Sequence, residues 1–180
     1  MQSDSLVKKK FYYHVRPAAA SVKAYKARFE VGKIFLVGME DSPFGKKTKS
    51  AATREAPGIN AHTIALGYKN MLREMVLENI RLKYYAHLPS RLSCLFISET
   101  LEDAYNWIER LPDEGPKEVL QMELLSGCLH RTNESHLMAN SPNVNEWEMF
   151  ARRYWDGAPG SKLVELLFRG ELAVTSVMPA

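Results

Sequence analysis

Three separated pieces of the sequence carry residue types that can do chemistry. His14 lies inside an aromatic N-terminal segment, a polar corner leads into an apolar segment at 89–96, and Glu165 opens a late apolar segment. An arginine in such a corner is a planar, forked donor for anions, and a carboxylate can stabilise positive charge that develops during a reaction. Each piece alone is ordinary, because strand histidines, Ser-Arg turns and strand-edge glutamates are commonly structural. Their order along the chain is more informative.

Several well-known catalytic motifs do not occur. The chain contains no GxGxxG, GxxxxGK[ST], HExxH or GxSxG pattern, so Rossmann, P-loop, zincin and hydrolase-elbow chemistry is not predicted. His130 and His136 lie six positions apart without nearby cysteine spacing, which argues against a metal site. Cys94 and Cys128 form no CxxC pair and predict reduced core thiols.

The composition predicts an ordinary globular protein. The chain has 180 residues, of which 46% are hydrophobic and 25% charged, and this length can bury a core without a metal or disulfide. We predict a flexible basic N-terminus over residues 1–10 and a single domain over 11–180. No apolar segment reaches the roughly 20 residues of a membrane helix, and the N-terminus does not resemble a secretory signal. We therefore expect a cytoplasmic protein with no membrane partner.

The positive charge is concentrated in the first third of the chain. Residues 1–60 contain twelve Lys and Arg against five Asp and Glu, a net charge of +7, whereas residues 61–180 carry −4. The basic part includes Lys8–Lys10 and the cluster of Lys46, Lys47 and Lys49. This asymmetry suits contact with a polyanion, and the alternative is a solvated lysine surface.

The elements that must position these residues follow from periodicity and caps. Apolar runs and alternation predict strands over 11–16, 31–37, 91–97, 118–125, 128–131, 164–168 and 172–178. Helical spacing and capping residues predict helices over 61–82, 101–111 and 143–155, with the methionines of the first in the core. The tract 38–60 is predicted to be a long polar loop. Mixed strands and helices without regular alternation indicate an α+β fold.

The order of these pieces resembles the ADP-ribosyltransferase superfamily, in its branch with a His–aromatic–Glu arrangement. The segments PSRLSCLFISETLEDAYNW and VELLFRGELAVTSV, with the break at Trp155-Asp156-Gly157, are similar to a small bacterial family within that superfamily. That family contains the ADP-ribosyltransferase toxin of a toxin–antitoxin–chaperone phage-defence system, which is reported to modify RNA. The resemblance implies a split, mostly antiparallel sheet with flanking helices around an NAD cleft.

The resemblance also implies the role of the catalytic carboxylate. Glu165 would stabilise the oxocarbenium-like transition state that forms when the bond between nicotinamide and ribose breaks. Glu171 is the rival carboxylate, but it follows Gly170 in a predicted turn. We therefore favour Glu165.

The same resemblance implies a set of NAD-binding residues that converge on the cleft with Glu165. His14 would bind an adenosine-ribose hydroxyl, Arg16 a phosphate, and Ser90, Arg91 and Ser93 the pyrophosphate or the nicotinamide ribose. Leu95-Phe96 stands where related enzymes have tyrosine, so the ring that stacks on nicotinamide is either Phe96 or Tyr105.

The sequence thus predicts an NAD-dependent mono-ADP-ribosyltransferase, a toxin or defence effector that modifies RNA. Lys46, Lys47 and Lys49 would contact the RNA phosphates. An antitoxin protein and a chaperone are possible partners. The alternatives are an NAD glycohydrolase, a protein-directed ADP-ribosyltransferase and a non-enzymatic nucleic-acid-binding module.

Overall fold

The architecture is α+β, with four α-helices and a mostly antiparallel five-stranded sheet among the described residues. The computed structural model describes residues 10–18, 29–50, 60–111, 115–137, 143–161 and 163–179. The strands are β1 (Phe11–Pro17), β2 (Ile34–Val37), β3 (Leu95–Ile97), β4 (Lys117–Asn133) and β5 (Val164–Pro179). The helices are α1 (Pro43–Ser50), α2 (Ala61–Tyr84), α3 (Leu101–Arg110) and α4 (Val144–Trp155). No helix in these ranges is both long and apolar enough to span a membrane.

The sheet has the strand order β1-β4-β5-β2, and β3 pairs with β5. Strands β1 and β4 run antiparallel, with Phe11 opposite Glu123 and Pro17 opposite Lys117. Each of the two long strands was expected to be two shorter ones, but each continues through a glycine. Gly127 in β4 has φ 135° and Gly170 in β5 has φ 147°, conformations that glycine adopts without steric cost.

The chain forms two compact units. The first comprises Met1–Phe35, Ile97–Ser126 and Glu171–Ala180, and the second comprises Leu36–Phe96 and Gly127–Gly170. In the first unit, Tyr13 and Ser98 exchange backbone hydrogen bonds of 2.9 and 2.7 Å, and α3 packs on β1. The single domain over 11–180 stays a prediction.

The core of the second unit lies between α2 and α4. Leu77 and Ile80 of α2 pack with Tyr154 and Trp155 of α4 and with Leu167 of β5. The Trp155 indole Nε1 donates a hydrogen bond of 2.9 Å to the Leu77 carbonyl, so the ring is both buried and satisfied. This packing fixes the faces of α2 and α4 that carry the buried polar residues described below.

Three local predictions were wrong. The polar tract expected to be a loop contains α1, which begins where the Ser42 hydroxyl accepts a hydrogen bond of 3.2 Å from the Gly45 amide. Gly45 is required there because a Cβ would collide with the Leu92 carbonyl oxygen. The predicted strand over 91–97 is strand only at Leu95–Ile97, because 91–93 form a turn. Met75 of α2, expected in the core, is 51% exposed.

Candidate functional site

Glu165 is a buried carboxylate that is held at one oxygen. It is the second residue of β5 and is 6% exposed. Its Oε2 accepts a hydrogen bond of 2.5 Å from Arg91 Nη1 and one of 2.6 Å from the Tyr154 hydroxyl. Within the described ranges, no side chain or backbone group donates a hydrogen bond to Oε1. One carboxylate oxygen is therefore anchored, and the other accepts no hydrogen bond from the described residues.

Arg91 joins two buried carboxylates. It lies in the turn before β3, is 4% exposed, and donates from Nε to Oε2 of Glu74 at 2.8 Å. Its Nη1 donates hydrogen bonds to Oε2 of Glu165 and to the Tyr154 hydroxyl oxygen. Bidentate and charge-assisted contacts of this kind fix the position of a guanidinium more tightly than single neutral hydrogen bonds do. The turn at 91–93 thus positions Glu165 through its arginine.

Aromatic rings surround the Arg91 guanidinium. Its central carbon lies 5.0 Å from the centre of the Tyr154 ring, 5.2 Å from that of Phe96 and 5.8 Å from that of Phe44. Phe44 and Phe96 meet edge to face with centroids 5.7 Å apart. The rings remove water from around the cation, which strengthens its interactions with Glu74 and Glu165.

The charges of the cluster are balanced by its own members. Burial by itself would raise the pKa of Glu74, but Arg91 and Arg73 outweigh it and the pKa lies below its ordinary value. Burial by itself would lower the pKa of Arg91, but Glu165 and Glu74 raise it well above the ordinary value. Arg73 donates to Oε1 of Glu74 at 2.8 and 3.1 Å. Glu74 and Arg91 therefore remain ionised at neutral pH.

The Tyr154 hydroxyl acts as a proton donor to Glu165. Burial raises the pKa of Tyr154 well above its ordinary value, and Glu165 adds to this, against the opposing effect of Arg91. The hydroxyl therefore keeps its proton and donates it in the hydrogen bond to Glu165. The same oxygen accepts from Arg91, so Tyr154 links the cation and the carboxylate.

A polar pocket of about 310 Å³ lies in the same unit. Its lining residues are Gly38, Met39, Glu40, Asp41, Lys49, Glu78, Arg81, Ser90, Leu92, Ser93 and Arg169. Most of its charges have partners, since Lys49 pairs with Asp41 at 2.7 Å and Arg81 with Glu78 at 2.8 Å. Within the described ranges, Arg169 donates only to the His87 carbonyl, at 3.2 Å. The pocket therefore offers a guanidinium that forms no ion pair with a carboxylate of the described residues.

The remaining predicted site residues are distributed over both units. In the second unit, Ser90 and Ser93 line the pocket, and the Ser90 hydroxyl donates to Glu78 at 2.8 Å. In the first unit, His14 is half-buried in β1 and its ring lies 6.2 Å from that of Phe29. Arg16 forms an ion pair of 2.5 Å with Glu118. The predicted convergence of the His14 side of the site with Glu165 stays a prediction.

The other candidates differ in exposure. Tyr105 on α3 is 41% exposed, whereas Phe96 is partly buried beside Arg91. Lys46, Lys47 and Lys49 are all exposed on α1. Lys8 and Lys9 lie outside the described residues.

Glu171, the rival carboxylate, lies within β5 rather than in a turn. It is exposed, and it accepts a hydrogen bond of 3.2 Å from the Ser126 hydroxyl. Glu165 and Glu171 therefore differ in environment, because only Glu165 is buried among fixed donors.

Sequence reasoning missed Glu74, Tyr154 and Arg169. The helical spacing placed the methionines of α2 in the core, so it did not indicate Glu74, which lies three positions before the buried Leu77. A buried acid requires a cation nearby. Nothing in the local sequence marks Tyr154 or Arg169. No group of three or more His, Cys, Asp or Glu side chains that could hold a metal ion occurs in the described part of the chain.

The comparisons with known proteins give one family. A family model described as "Protein of unknown function (DUF2441)" matches residues 12–179. A search of curated proteins gives no match.

Proposed function

The chain belongs to the DUF2441 family, whose function is unknown, and we propose that it is an NAD-dependent mono-ADP-ribosyltransferase with Glu165 as its catalytic residue. The observation that carries the proposal is that only one of the two oxygens of the Glu165 carboxylate is hydrogen-bonded to described residues. Arg91 and Tyr154 fix Oε2 at 2.5 and 2.6 Å, while Oε1 accepts no hydrogen bond within the described ranges. Such a group is oriented in advance and keeps one oxygen for a substrate.

The chemistry needs a group of this kind. When the bond between the nicotinamide nitrogen and ribose C1′ breaks, the electron pair leaves with nicotinamide, and positive charge develops on the ribose. A nucleophilic hydroxyl or amine of the acceptor then bonds to C1′ and releases its proton to the solvent. Because nicotinamide leaves as a neutral base, no general acid is needed, and the main requirement is fixed negative charge near the developing cation. Glu165 would supply it through Oε1 and would also orient the 2′-hydroxyl.

The neighbouring pocket supports binding of a dinucleotide. Ser90 and Ser93 bring hydroxyl groups to its wall, and Arg169 brings a guanidinium without a carboxylate partner in the described part of the chain. Hydroxyls suit ribose and an uncompensated guanidinium suits phosphate. We add Arg169 to the predicted NAD-binding residues. The roles of His14, Arg16 and Tyr105 rest on the resemblance.

RNA is the proposed acceptor, and a toxin or defence role follows from the same resemblance. The support from the structure is the exposure of Lys46, Lys47 and Lys49 on the short helix α1, where they are able to contact phosphates. An antitoxin and a chaperone stay proposed partners. These lysines equally favour the second candidate, a nucleic-acid-binding module without enzymatic activity.

Incubation of the purified protein with NAD tests the proposal. NAD labelled in the adenosine part is supplied alone, with total RNA, and with a protein extract, and the products are analysed by mass spectrometry. We expect ADP-ribose on RNA and nicotinamide release that increases with added RNA. Equal nicotinamide release without acceptor would indicate an NAD glycohydrolase, and label on protein alone a protein-directed transferase. Absence of NAD cleavage in every mixture would contradict the proposed enzymatic activity and favour the nucleic-acid-binding module.

A further inference from the structure

In the described part of the chain, helix α2 exposes an apolar face to solvent. Its exposed apolar side chains form a row along the helix, called here the α2 stripe. The members, with their exposed fractions, are Ile64 (46%), Tyr68 (47%), Leu72 (41%), Met75 (51%) and Leu82 (57%). The steps between neighbours are three, four or seven residues, so these side chains share one side of the helix. The row is contiguous from Ile64 to Met75, and the polar residues Glu78 and Asn79 separate Met75 from Leu82. Exposed apolar surface of this kind commonly marks a site of interaction with another macromolecule.

The α2 stripe is not part of the core. The core-facing side of α2 is carried by Leu77 and Ile80, which are 0% and 6% exposed and pack against α4. Leu77 and Met75 lie two positions apart, about 200° around the helix, so the α2 stripe points away from α4. Replacing its members with polar residues therefore leaves the core intact.

The spacing of the α2 stripe suits another helix. Tyr68, Met75 and Leu82 recur every seven residues, the repeat with which two helices pack side by side. The helix has 24 residues and is about 36 Å long, and the α2 stripe extends over residues 64–82 of it, which is nearly three heptads. An extended peptide would find no free backbone groups along such a helix, whereas an amphipathic helix matches its side-chain rows.

Charge selects among helical partners. Lys69 and Lys83 lie one position after Tyr68 and Leu82, and no carboxylate in the described ranges pairs with either lysine. The two acids of α2 are already bonded, Glu74 to Arg91 and Glu78 to Arg81. A second copy of this chain would thus present lysines to lysines, with no uncommitted α2 acid to pair with them. A partner with acidic flanks complements the surface.

We propose that the α2 stripe is the docking site for an amphipathic helix of another protein, with leucine-like residues on its seam and acidic residues beside it. The site is independent of Glu165. Its contacts are hydrophobic along Tyr68, Met75 and Leu82 and electrostatic at Lys69 and Lys83. The interaction therefore weakens with salt without being abolished, because the apolar contacts are not screened.

Two designed peptides test the proposal on the full chain. Both are helices of about four heptads with leucine at the seam, one with glutamate and one with lysine at the flanking positions. We expect the acidic peptide to bind saturably in fluorescence anisotropy and the lysine peptide to bind at least about tenfold more weakly. Combining Leu72→Glu with Met75→Glu should lower the affinity for the acidic peptide by at least about tenfold. The matched control is Leu66→Glu, because Leu66 is 48% exposed but lies off the α2 stripe.

Each contrary result overturns the proposal. Equal affinity for the two peptides would show that Lys69 and Lys83 do not select the partner. An equal loss of affinity in Leu66→Glu would show that the peptide does not bind at the α2 stripe. Absence of saturable binding to either peptide would contradict a helical partner. Analytical ultracentrifugation tests whether a second copy of the chain binds the α2 stripe instead. A wild-type dimer that becomes monomeric on combining Leu72→Glu with Met75→Glu would show that it does. Thermal unfolding by circular dichroism verifies that every variant is folded.

Discussion

Arg91 binds Glu165 through a hydrogen bond of 2.5 Å, although 74 positions separate the two residues in the chain. The arginine comes from a turn and the glutamate from the second position of a strand. Their pairing gives a carboxylate that is 6% exposed a cation that offsets the cost of its burial. It also makes the stability of the second unit and the geometry of its candidate catalytic group depend on one guanidinium.

Arg91→Met is expected to be strongly destabilising. The substitution leaves Glu74 and Glu165 buried without their shared cation, and the loss of one partner of a buried ion pair commonly costs about 3–5 kcal/mol. Urea unfolding of the variant and the wild type measures the difference. Arg73→Met is the matched control, since Arg73 also pairs with Glu74 but its side chain is 17% exposed. The loss in free energy of unfolding should be clearly smaller for Arg73→Met than for Arg91→Met. Equal losses would contradict the central role of Arg91.

The lowered pKa of Glu74 predicts sensitivity to acid. Burial opposes the shift, but Arg91 and Arg73 hold the native pKa below the ordinary value. The unfolded chain therefore takes up a proton at a higher pH than the native chain. The stabilisation is complete above the ordinary glutamate pKa of about 4.3 and is lost as the pH falls through the native value.

Comparison of the wild type with Glu74→Gln across a pH series measures this effect. The difference in their free energies of unfolding should be constant near neutral pH and should shrink in acid. A difference that stays constant down to about pH 3 would show that Glu74 does not titrate as its partners require.

Tyr154→Phe is expected to separate catalysis from binding. The change removes the hydroxyl that donates to Glu165 and accepts from Arg91, at a stability cost of about 1.5–3 kcal/mol because both partners are charged and buried. If the hydroxyl orients Glu165, kcat for nicotinamide release should fall while KM for NAD changes little. Tyr85→Phe is the control, because the Tyr85 hydroxyl donates instead to Asp156 at 2.6 Å. A fall in kcat of the same size in both variants would reject the orienting role.

The helices show what the sequence allows to be predicted. Asn60 caps α2 by accepting from the Thr63 amide at 2.9 Å, and Thr100 caps α3 by accepting from the Asp103 amide at 3.0 Å. Both beginnings were predicted because capping is a local interaction. Helix α1 was missed because PFGKKTKS has a glycine, few apolar residues and no helical stripe, and its position depends on the distant Leu92 carbonyl.

The site could be predicted only in part for the same reason. Glu165 and Arg91 were selected as candidates from the sequence. Their direct contact was not predicted, because residues on a turn and on a distant strand meet only through tertiary packing. Glu74 and Tyr154 complete the cluster from α2 and α4, and their partners are likewise remote in sequence. The burial of Glu165 also differs from the usual exposure of a strand-edge glutamate.

Replacement of the α1 lysines tests the proposed RNA contact. Lys46, Lys47 and Lys49 are exposed, so changing all three to alanine should leave the fold intact. Transfer of ADP-ribose to RNA should fall and its salt dependence should become shallower, because phosphate contacts release counterions. Nicotinamide release without acceptor should be nearly unchanged when only Lys46 and Lys47 are replaced, since these two lysines do not line the pocket and would position the acceptor only, whereas Lys49 lines it. Unchanged RNA modification at every salt concentration would reject α1 as an RNA contact.

We propose Glu165 as the residue that carries the catalysis of NAD cleavage, and nicotinamide release by two matched variants measures its contribution. Glu165→Gln and Glu171→Gln make the same chemical change on the same strand, at a buried and an exposed position. Loss of the Glu165 charge should reduce kcat by about 10²–10³, while Glu171→Gln retains nearly full activity. Wild-type activity in a folded Glu165→Gln protein, with loss in Glu171→Gln, would contradict the claim.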